Sequence, residues 1–150
     1  MITVSFHDKA EVTNELLKFA VIAAKYNGKW IFCRHKERDT WEIPGGHREL
    51  AEDIADTAKR ELHEETGAIQ FKLTPVSIYG VTNDDQTTYG MLYFAEVQIL
   101  KELPSEMEIG EITFSDVLPD KLTYPAIQPY LFEKVKKSVY KRSIEELETQ

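Results

Sequence analysis

One stretch decides the fold, residues 45–68, which reads GGHRELAEDIADTAKRELHEETGA. Its apolar residues recur at the spacing of one helix face, namely Ile54, Ala58 and Leu62, with Ala51 and Ala55 beside them. We therefore predict an amphipathic helix over Ala51–Thr66. Gly67 is expected to end it, because glycine adopts the left-handed conformation at helix ends without steric cost.

Three carboxylates crowd the end of this helix. Glu61, Glu64 and Glu65 fill an arc that adjoins the apolar face, and Glu65 overlaps that face. Like charges three or four residues apart destabilise a helix by roughly 0.2–0.5 kcal/mol per pair. The helix dipole disfavours each anion near the C-terminal end by about 0.3–1 kcal/mol. Local rules broken together indicate a function.

A hard divalent cation would remove both penalties, since Mg²⁺ prefers oxygen ligands and keeps room for water or substrate phosphate. The Gly45-Gly46 segment before the helix has no side chains, so a backbone carbonyl can approach an ion closely. The alternative interpretation is a solvated acidic face with Lys59 and Arg60 as charge partners.

The spacing of this stretch resembles a known motif. Gly46, five residues, Glu52, seven residues and then Arg60–Ala68 (RELHEETGA) match the Nudix box of the MutT-like Nudix hydrolases. The resemblance implies an α/β/α sandwich around a central mixed sheet, an α+β fold. It also implies Mg²⁺- or Mn²⁺-dependent hydrolysis of a nucleoside diphosphate linked to another moiety. Leu50-Ala51 departs from the Pro-Gly that is frequent there.

The resemblance assigns roles to individual residues. It implies metal ligation by Glu61, Glu64, Glu65 and the carbonyl of Gly45. It implies supporting roles for Gly46, Glu52, Arg60 and Gly67, with Glu52 and Arg60 as an ion pair that positions the loop and the helix. An ordinary surface ion pair is the alternative for these two.

The resemblance further implies that water attacks one phosphorus of a diphosphate bridge, with the ions lowering the pKa of that water and neutralising charge on the phosphate oxygens. A carboxylate would remove the proton. Glu61 or Glu64 of the box could act here, or a residue of the acidic segment 105–111. Glu111 is our first choice in that segment and Glu108 the second, against the alternative of an acidic surface loop.

Substrate contacts are less clearly indicated. Arg34, His35 and Lys36 end a predicted strand and could hold phosphates, or could simply form a polar strand end. Gln128 could supply an amide to a base. Aromatic residues could stack on a base but are more often core: Trp41, Tyr79, Tyr89, Tyr93 and Tyr124.

Comparison with the subfamilies favours one substrate class. Asn83 and Asp84–Gln86 stand where ADP-ribose and dinucleoside-polyphosphate members often carry Pro and Tyr. We expect cleavage of a nucleoside triphosphate to a monophosphate and pyrophosphate, with an oxidised purine such as 8-oxo-dGTP as the leading candidate.

The rest of the chain is consistent with a single domain over residues 1–150. Strands are predicted over Ile2–Phe6, Leu16–Tyr26, Lys29–His35, Trp41–Ile43, Ile69–Val81, Tyr89–Leu100 and Glu111–Phe114. Leu16–His35 is expected to form a hairpin through the turn Asn27-Gly28. A second helix is predicted from Pro125 to about Arg142, with Glu145–Gln150 frayed.

Composition excludes several classes of protein. The net charge of −8 gives no global attraction for duplex DNA, and no apolar run is long enough to span a membrane. The single cysteine excludes an internal disulfide and fits a reducing, cytoplasmic location.

Two alternative functions stay open. One is pyrophosphate removal from RNA 5′ ends, which would need the basic run Lys134–Arg142 as a groove. The other is a non-catalytic nucleotide sensor on the same fold. The sequence does not indicate an oligomeric state.

Overall fold

A computed structural model describes residues 1–105 and 107–148. Seven strands and two α-helices make up this part of the chain, besides one short 3₁₀ helix at Asn14–Leu16. The elements, in chain order, are β1 (Ile2–His7), β2 (Leu17–Tyr26), β3 (Lys29–His35), β4 (Gly45–His47), α1 (Ile54–Thr66), β5 (Ala68–Asn83), β6 (Gln86–Leu100), β7 (Ile109–Ser115) and α2 (Gln128–Glu148).

The strands form one mixed sheet in the order β1-β5-β6-β2-β3-β7, with β4 paired to β2. The β2–β6 pair is parallel and the other pairs are antiparallel. Alternating side chains of β2 and β3 enter two apolar clusters on opposite faces of the sheet. One cluster holds Ile54 and Leu62 of α1, and the other holds Leu131 and Val135 of α2. This arrangement confirms the expected α/β/α sandwich.

The hairpin of β2 and β3 is only partly paired. Asn27 and Gly28 both have positive φ, as a tight two-residue turn requires. Pairing between the two strands is limited to Lys25–Trp30 and Tyr26–Lys29. Beyond it, residues 41–47 separate the strands, because Glu42 bridges to Cys33 of β3 and Gly46 pairs with Ala20 of β2. This separation places β4 and Glu42 beside the end of α1.

Both helices differ from their predicted bounds. α1 begins at Ile54 rather than Ala51, which is exposed and has a φ of 63°, a value that no helical residue adopts. It ends as predicted at Gly67, whose φ is 82° and whose N–H donates to the carbonyl of His63.

Helix α2 begins at Gln128 rather than Pro125 and continues past Arg142 to Glu148. The prediction that the chain frays from Glu145 is therefore wrong for residues 145–148, while Thr149 and Gln150 lie outside the described residues. Within the described residues, neither helix is both long and apolar enough to cross a membrane.

Candidate active site

A cleft of about 530 Å³ lies where β4, the end of α1 and the start of α2 meet. Charged residues and glycines form one wall: Gly45, Gly46, Glu49, Arg60, Glu61 and Glu65. Apolar and aromatic residues form much of the rest: Phe19, Tyr79, Val81, Tyr124, Ile127 and Leu131. The cleft is therefore lined by both polar and apolar residues, as ligand sites commonly are.

Glu61 packs directly against the backbone of Gly46. A Cβ atom at position 46 would overlap the Glu61 carboxylate, so an alanine there would have to displace this side chain. Burial raises the pKa of Glu61 to about 7, and the nearby charge of Glu65 adds to this effect. The guanidinium of Arg60 opposes the shift through a hydrogen bond of 2.8 Å to Oε1. Glu61 is thus a largely buried carboxylate whose negative charge is only partly compensated.

Glu65 is more deeply buried, with 6% of its surface exposed. The N–H of Gly45 donates a hydrogen bond of 2.8 Å to its Oε1, and Nε2 of His35 lies 3.4 Å from its Oε2. Burial raises the pKa of Glu65, and the contact with His35 opposes this rise. β4 and β3 therefore hold this carboxylate from two sides.

Arg60 connects the loop before α1 to the helix. Its Nε and Nη2 donate to the two carboxylate oxygens of Glu52 at 2.8 and 3.0 Å, a bidentate pair. The Arg60 guanidinium holds the pKa of Glu52 down to about 2. Nη1 of Arg60 lies 2.8 Å from Glu61 and 3.4 Å from Glu64. This is the contact expected for a pair that positions the loop and the helix.

The donor set fits a divalent cation, although the described residues contain no group of three or more such side chains already arranged around one point. Glu61 and Glu64 both turn towards Arg60. Glu61, which is largely buried, and Glu65, which is buried, nevertheless place two mutually repelling carboxylates in the lining of the cleft. Hard oxygen donors of this kind are those that Mg²⁺ and Mn²⁺ select.

The expected substrate contacts differ in position. Arg34 lies outside the cleft wall, with Nε 3.4 Å from Oε1 of Glu111 and Nη1 donating to the carbonyl of Arg38. Lys36 and Glu111 are likewise absent from the described residues that line the cleft. His35 and Arg38 line it instead. Arg38 was not a candidate from the sequence, because a charged loop gives no indication of which of its side chains turns inward.

Two further candidates do reach the cleft. Glu108 lines it, with Oε2 3.6 Å from Nδ1 of His35. Gln128 is buried, and its Oε1 accepts a hydrogen bond of 2.8 Å from the N–H of Ile43. The side-chain NH₂ of Gln128 is the part of this amide that can still serve a ligand.

The aromatic candidates divide into two groups. Tyr79 and Tyr124 line the cleft. Tyr93 is buried in the cluster on the α1 face, Tyr89 packs against that cluster, and Trp41 packs against the cluster on the α2 face. Only the first two are therefore placed to stack on a base.

Glu42 is a site residue that the sequence analysis missed. It is 6% exposed and lines the cleft, with its carboxylate between His35 and Arg38. One signal could have found it, because Glu42 is the only charged residue in the otherwise apolar run Trp41–Pro44.

Two curated proteins of Bacillus subtilis are similar to this chain. "Putative 8-oxo-dGTP diphosphatase YtkD" is 31% identical over 107 residues, which are 71% of this chain and 66% of that protein. An ADP-ribose pyrophosphatase is 32% identical over 120 residues, 73% of this chain and 65% of that protein. The chain thus spans slightly less than two thirds of the length of each.

A solved structure and a family model agree with these similarities. The crystal structure of a mutant of the Bacillus subtilis pyrophosphohydrolase BsRppH superposes with a TM-score of 0.74 and 25% identity, covering 91% of this chain and 90% of that chain. The family model for the NUDIX domain matches residues 16–135, which include every strand from β2 to β7 and the whole of α1. The motif, the sandwich and this match together show that the chain belongs to the NUDIX family.

Proposed function

We propose that this protein is a divalent-metal-dependent pyrophosphohydrolase that hydrolyses a phosphoric anhydride bond of a nucleoside diphosphate-linked substrate. One observation carries the proposal: the largely buried carboxylates of Glu61 and Glu65 line the same cleft as the aromatic rings of Tyr79 and Tyr124. A nucleotide fits such a lining. Its phosphates can bind to the acidic residues through a cation, and its base can stack on an aromatic ring.

Glu61, Glu65 and the carbonyl of Gly45, which line the cleft, would hold the ion together with Glu64, which lies outside the described lining and contacts Arg60. Bound there, Mg²⁺ or Mn²⁺ would supply charge neutralisation on the phosphate oxygens and a more acidic water. The protein's own contribution is to fix the carboxylates, through the N–H of Gly45 and the guanidinium of Arg60.

In the proposed reaction, water attacks one phosphorus of the bridge and the P–O bond to the leaving phosphate breaks. A nucleoside triphosphate would give a monophosphate and pyrophosphate. A carboxylate accepts the proton that the water loses. Besides Glu61 and Glu64 of the box, Glu108 is now favoured for this step over Glu111, because Glu108 lines the cleft and Glu111 does not.

We propose a nucleoside triphosphate as the substrate, with 8-oxo-dGTP as the leading candidate. YtkD, described as a diphosphatase for 8-oxo-dGTP, supports this choice, while the ADP-ribose pyrophosphatase supports a different diphosphate-linked nucleoside. Gln128 is the base-reading candidate in the cleft. Arg34 and Lys36 would need a substrate that extends beyond the cleft.

The two alternative functions require different features of the protein. RNA 5′-end processing needs a basic groove, yet the basic run over 134–142 contributes no residue to the described lining of the cleft. A nucleotide-sensing module without activity would be expected to lose box carboxylates, and all three are present. The buried thiol of Cys33 is compatible with the cytoplasmic location that we propose.

A substrate panel with product identification tests the proposal. The panel contains 8-oxo-dGTP, the standard nucleoside triphosphates, ADP-ribose and a 5′-triphosphate RNA, each with Mg²⁺ or Mn²⁺ and with EDTA. We expect metal-dependent release of pyrophosphate from a triphosphate, and loss of that release in Glu64→Gln at unchanged circular dichroism. Orthophosphate as the product would contradict the proposed linkage. Activity in EDTA, or no hydrolysis of any compound, would contradict the proposed function.

A further inference from the structure

Glu42 is a buried carboxylate outside the Nudix motif, and each of its oxygens faces a different basic side chain. Its Oε2 accepts a hydrogen bond of 3.1 Å from Nη1 of Arg38. Its Oε1 lies 3.2 Å from Nε2 of His35. Burying a carboxylate is costly unless it is paired on both oxygens, and both oxygens of Glu42 are paired.

The contact with His35 connects Glu42 to Glu65, one of the proposed metal ligands. The Nε2 atom of His35 that faces Glu42 also lies 3.4 Å from Oε2 of Glu65. Both neighbours are carboxylate oxygens within ion-pair distance, so a proton on this nitrogen favours both contacts. His35 therefore ties the position of the Glu65 carboxylate to that of Glu42.

The contact with Arg38 connects Glu42 to a partly exposed side chain in the lining of the cleft. The Arg38 side chain is 44% exposed and lines the cleft together with Tyr124. Among the described residues that line the cleft, the only other arginine or lysine is Arg60, which has carboxylates of Glu49, Glu52, Glu61 and Glu64 within 4 Å. Within residues 1–105 and 107–148, Arg38 has one carboxylate within that distance, that of Glu42. Its remaining donors are the ones that a substrate phosphate can reach.

We propose that Glu42 is a positioning residue that couples the two halves of the site, holding Glu65 through His35 for the divalent ion and holding Arg38 for a phosphate of the substrate. This inference rests on the proposed function. A planar guanidinium fixed by one carboxylate keeps its outer edge aligned for a second anion. Hydrogen-bond partners of metal ligands typically contribute 10- to 100-fold to metal affinity or activity.

Three substitutions test the contacts of Glu42 with His35 and with Arg38 separately. Binding of Mn²⁺ is measured by calorimetry, and binding of a non-hydrolysable α,β-methylene nucleotide is measured at saturating Mn²⁺. We expect His35→Ala to weaken Mn²⁺ binding about 10- to 100-fold and to leave nucleotide binding within a few-fold. We expect Arg38→Gln to weaken nucleotide binding by about 10-fold or more and to leave Mn²⁺ binding unchanged. Glu42→Gln should show both losses, since the single acceptor oxygen of a neutral amide cannot accept from both His35 and Arg38.

Two designs distinguish positioning from a general loss of structure. In a His35→Ala background, Glu42→Gln should weaken Mn²⁺ binding no further. The control pair is His7 and Glu11, which make a contact of 3.4 Å outside the cleft; His7 matches His35 in side-chain exposure, 23% against 20%, whereas Glu11 is 55% exposed. His7→Ala and Glu11→Gln should change neither affinity.

The outcomes are separable from those of the proposed function. The positioning role is overturned if folded Glu42→Gln keeps both affinities, or if His35→Ala and Arg38→Gln lose the same one. If Glu42→Gln does not fold, the other two variants decide by the same criterion. A wild-type protein that hydrolyses no nucleotide, yet binds Mn²⁺ with the expected dependence on His35, would refute the proposed function and support the positioning role.

Discussion

The backbone of Gly46 lies against the carboxylate of Glu61 so closely that a Cβ atom at position 46 would overlap its carboxyl carbon and both oxygens. Gly45 is equally restricted but for another reason, because its Cβ would overlap the carbonyl oxygen of Ala20 and crowd Val21. A side chain at position 46 would thus meet the site, and a side chain at position 45 would meet the sheet.

We predict that Gly46→Ala displaces Glu61 and weakens Mn²⁺ binding by about 10-fold or more, with little change in the free energy of unfolding. Gly45→Ala should instead strain the β2–β4 pairing and lower the free energy of unfolding by about 1–3 kcal/mol. Calorimetry with Mn²⁺ and urea unfolding in EDTA measure the two effects. Equal behaviour of the two variants would contradict this division.

Glu61 is expected to contribute to turnover without contributing to the free energy of unfolding of the metal-free protein. Glu61→Gln removes a buried negative charge beside Glu65, so the free energy of unfolding in EDTA should not fall. Turnover should fall by a factor of about 10² or more, because metal-assisted stabilisation of the transition state contributes several kcal/mol. Urea unfolding and steady-state kinetics test both parts. A variant that is destabilised, or that turns over normally, would remove Glu61 from the proposed role.

Glu108 and Glu111 are competing candidates for the proton acceptor, and one experiment discriminates between them. Glu108 lines the cleft beside His35, whereas Glu111 pairs with Arg34 outside it. We predict that Glu108→Gln lowers kcat by about 10² or more, as loss of a general base does. Glu111→Gln should remove only an exposed ion pair, worth at most about 1 kcal/mol of stability. The reverse ranking of kcat would favour Glu111.

The helix and its acidic end could be predicted from sequence because their determinants are local. The four-residue spacing of Ile54, Ala58 and Leu62 requires one buried face, and all three are buried. The overlap of Glu65 with that face likewise predicts its burial. Gly67 ends the helix through its own backbone preference.

Other features of the site depend on contacts between distant segments. The pairing of Gly45–His47 with β2 and the bridge between Cys33 and Glu42 exist only once the sheet has formed. The local sequence pattern predicted only a hairpin over Leu16–His35, with no segment between its two strands. For the same reason, the sequence pointed to Arg34 at a strand end, while the loop path brings Arg38 to the cleft.

Ala51 has a left-handed backbone, with φ at 63°, in the loop before α1. This conformation costs an alanine roughly 1–2 kcal/mol, and glycine adopts it without that cost. We predict that Ala51→Gly raises the free energy of unfolding by about 1 kcal/mol after the greater flexibility of the unfolded glycine chain is included. Ala55→Gly, within α1, should lower it by about 0.5–1 kcal/mol. Urea unfolding of both variants checks the opposite signs.

The ion pair of Glu52 and Arg60 should make stability depend on pH in acid. Arg60 lowers the pKa of Glu52 from about 4.5 in the unfolded chain to about 2 in the folded protein. The charged carboxylate therefore favours folding at pH values above the unfolded pKa, and this contribution is lost as the pH falls from about 4.5 towards 2. We predict that Glu52→Gln is less stable than the wild type at pH 7 and that the difference shrinks steadily below pH 4.5. Urea unfolding of both proteins between pH 2.5 and 7 measures it, and a difference independent of pH would show that the charge of Glu52 does not contribute.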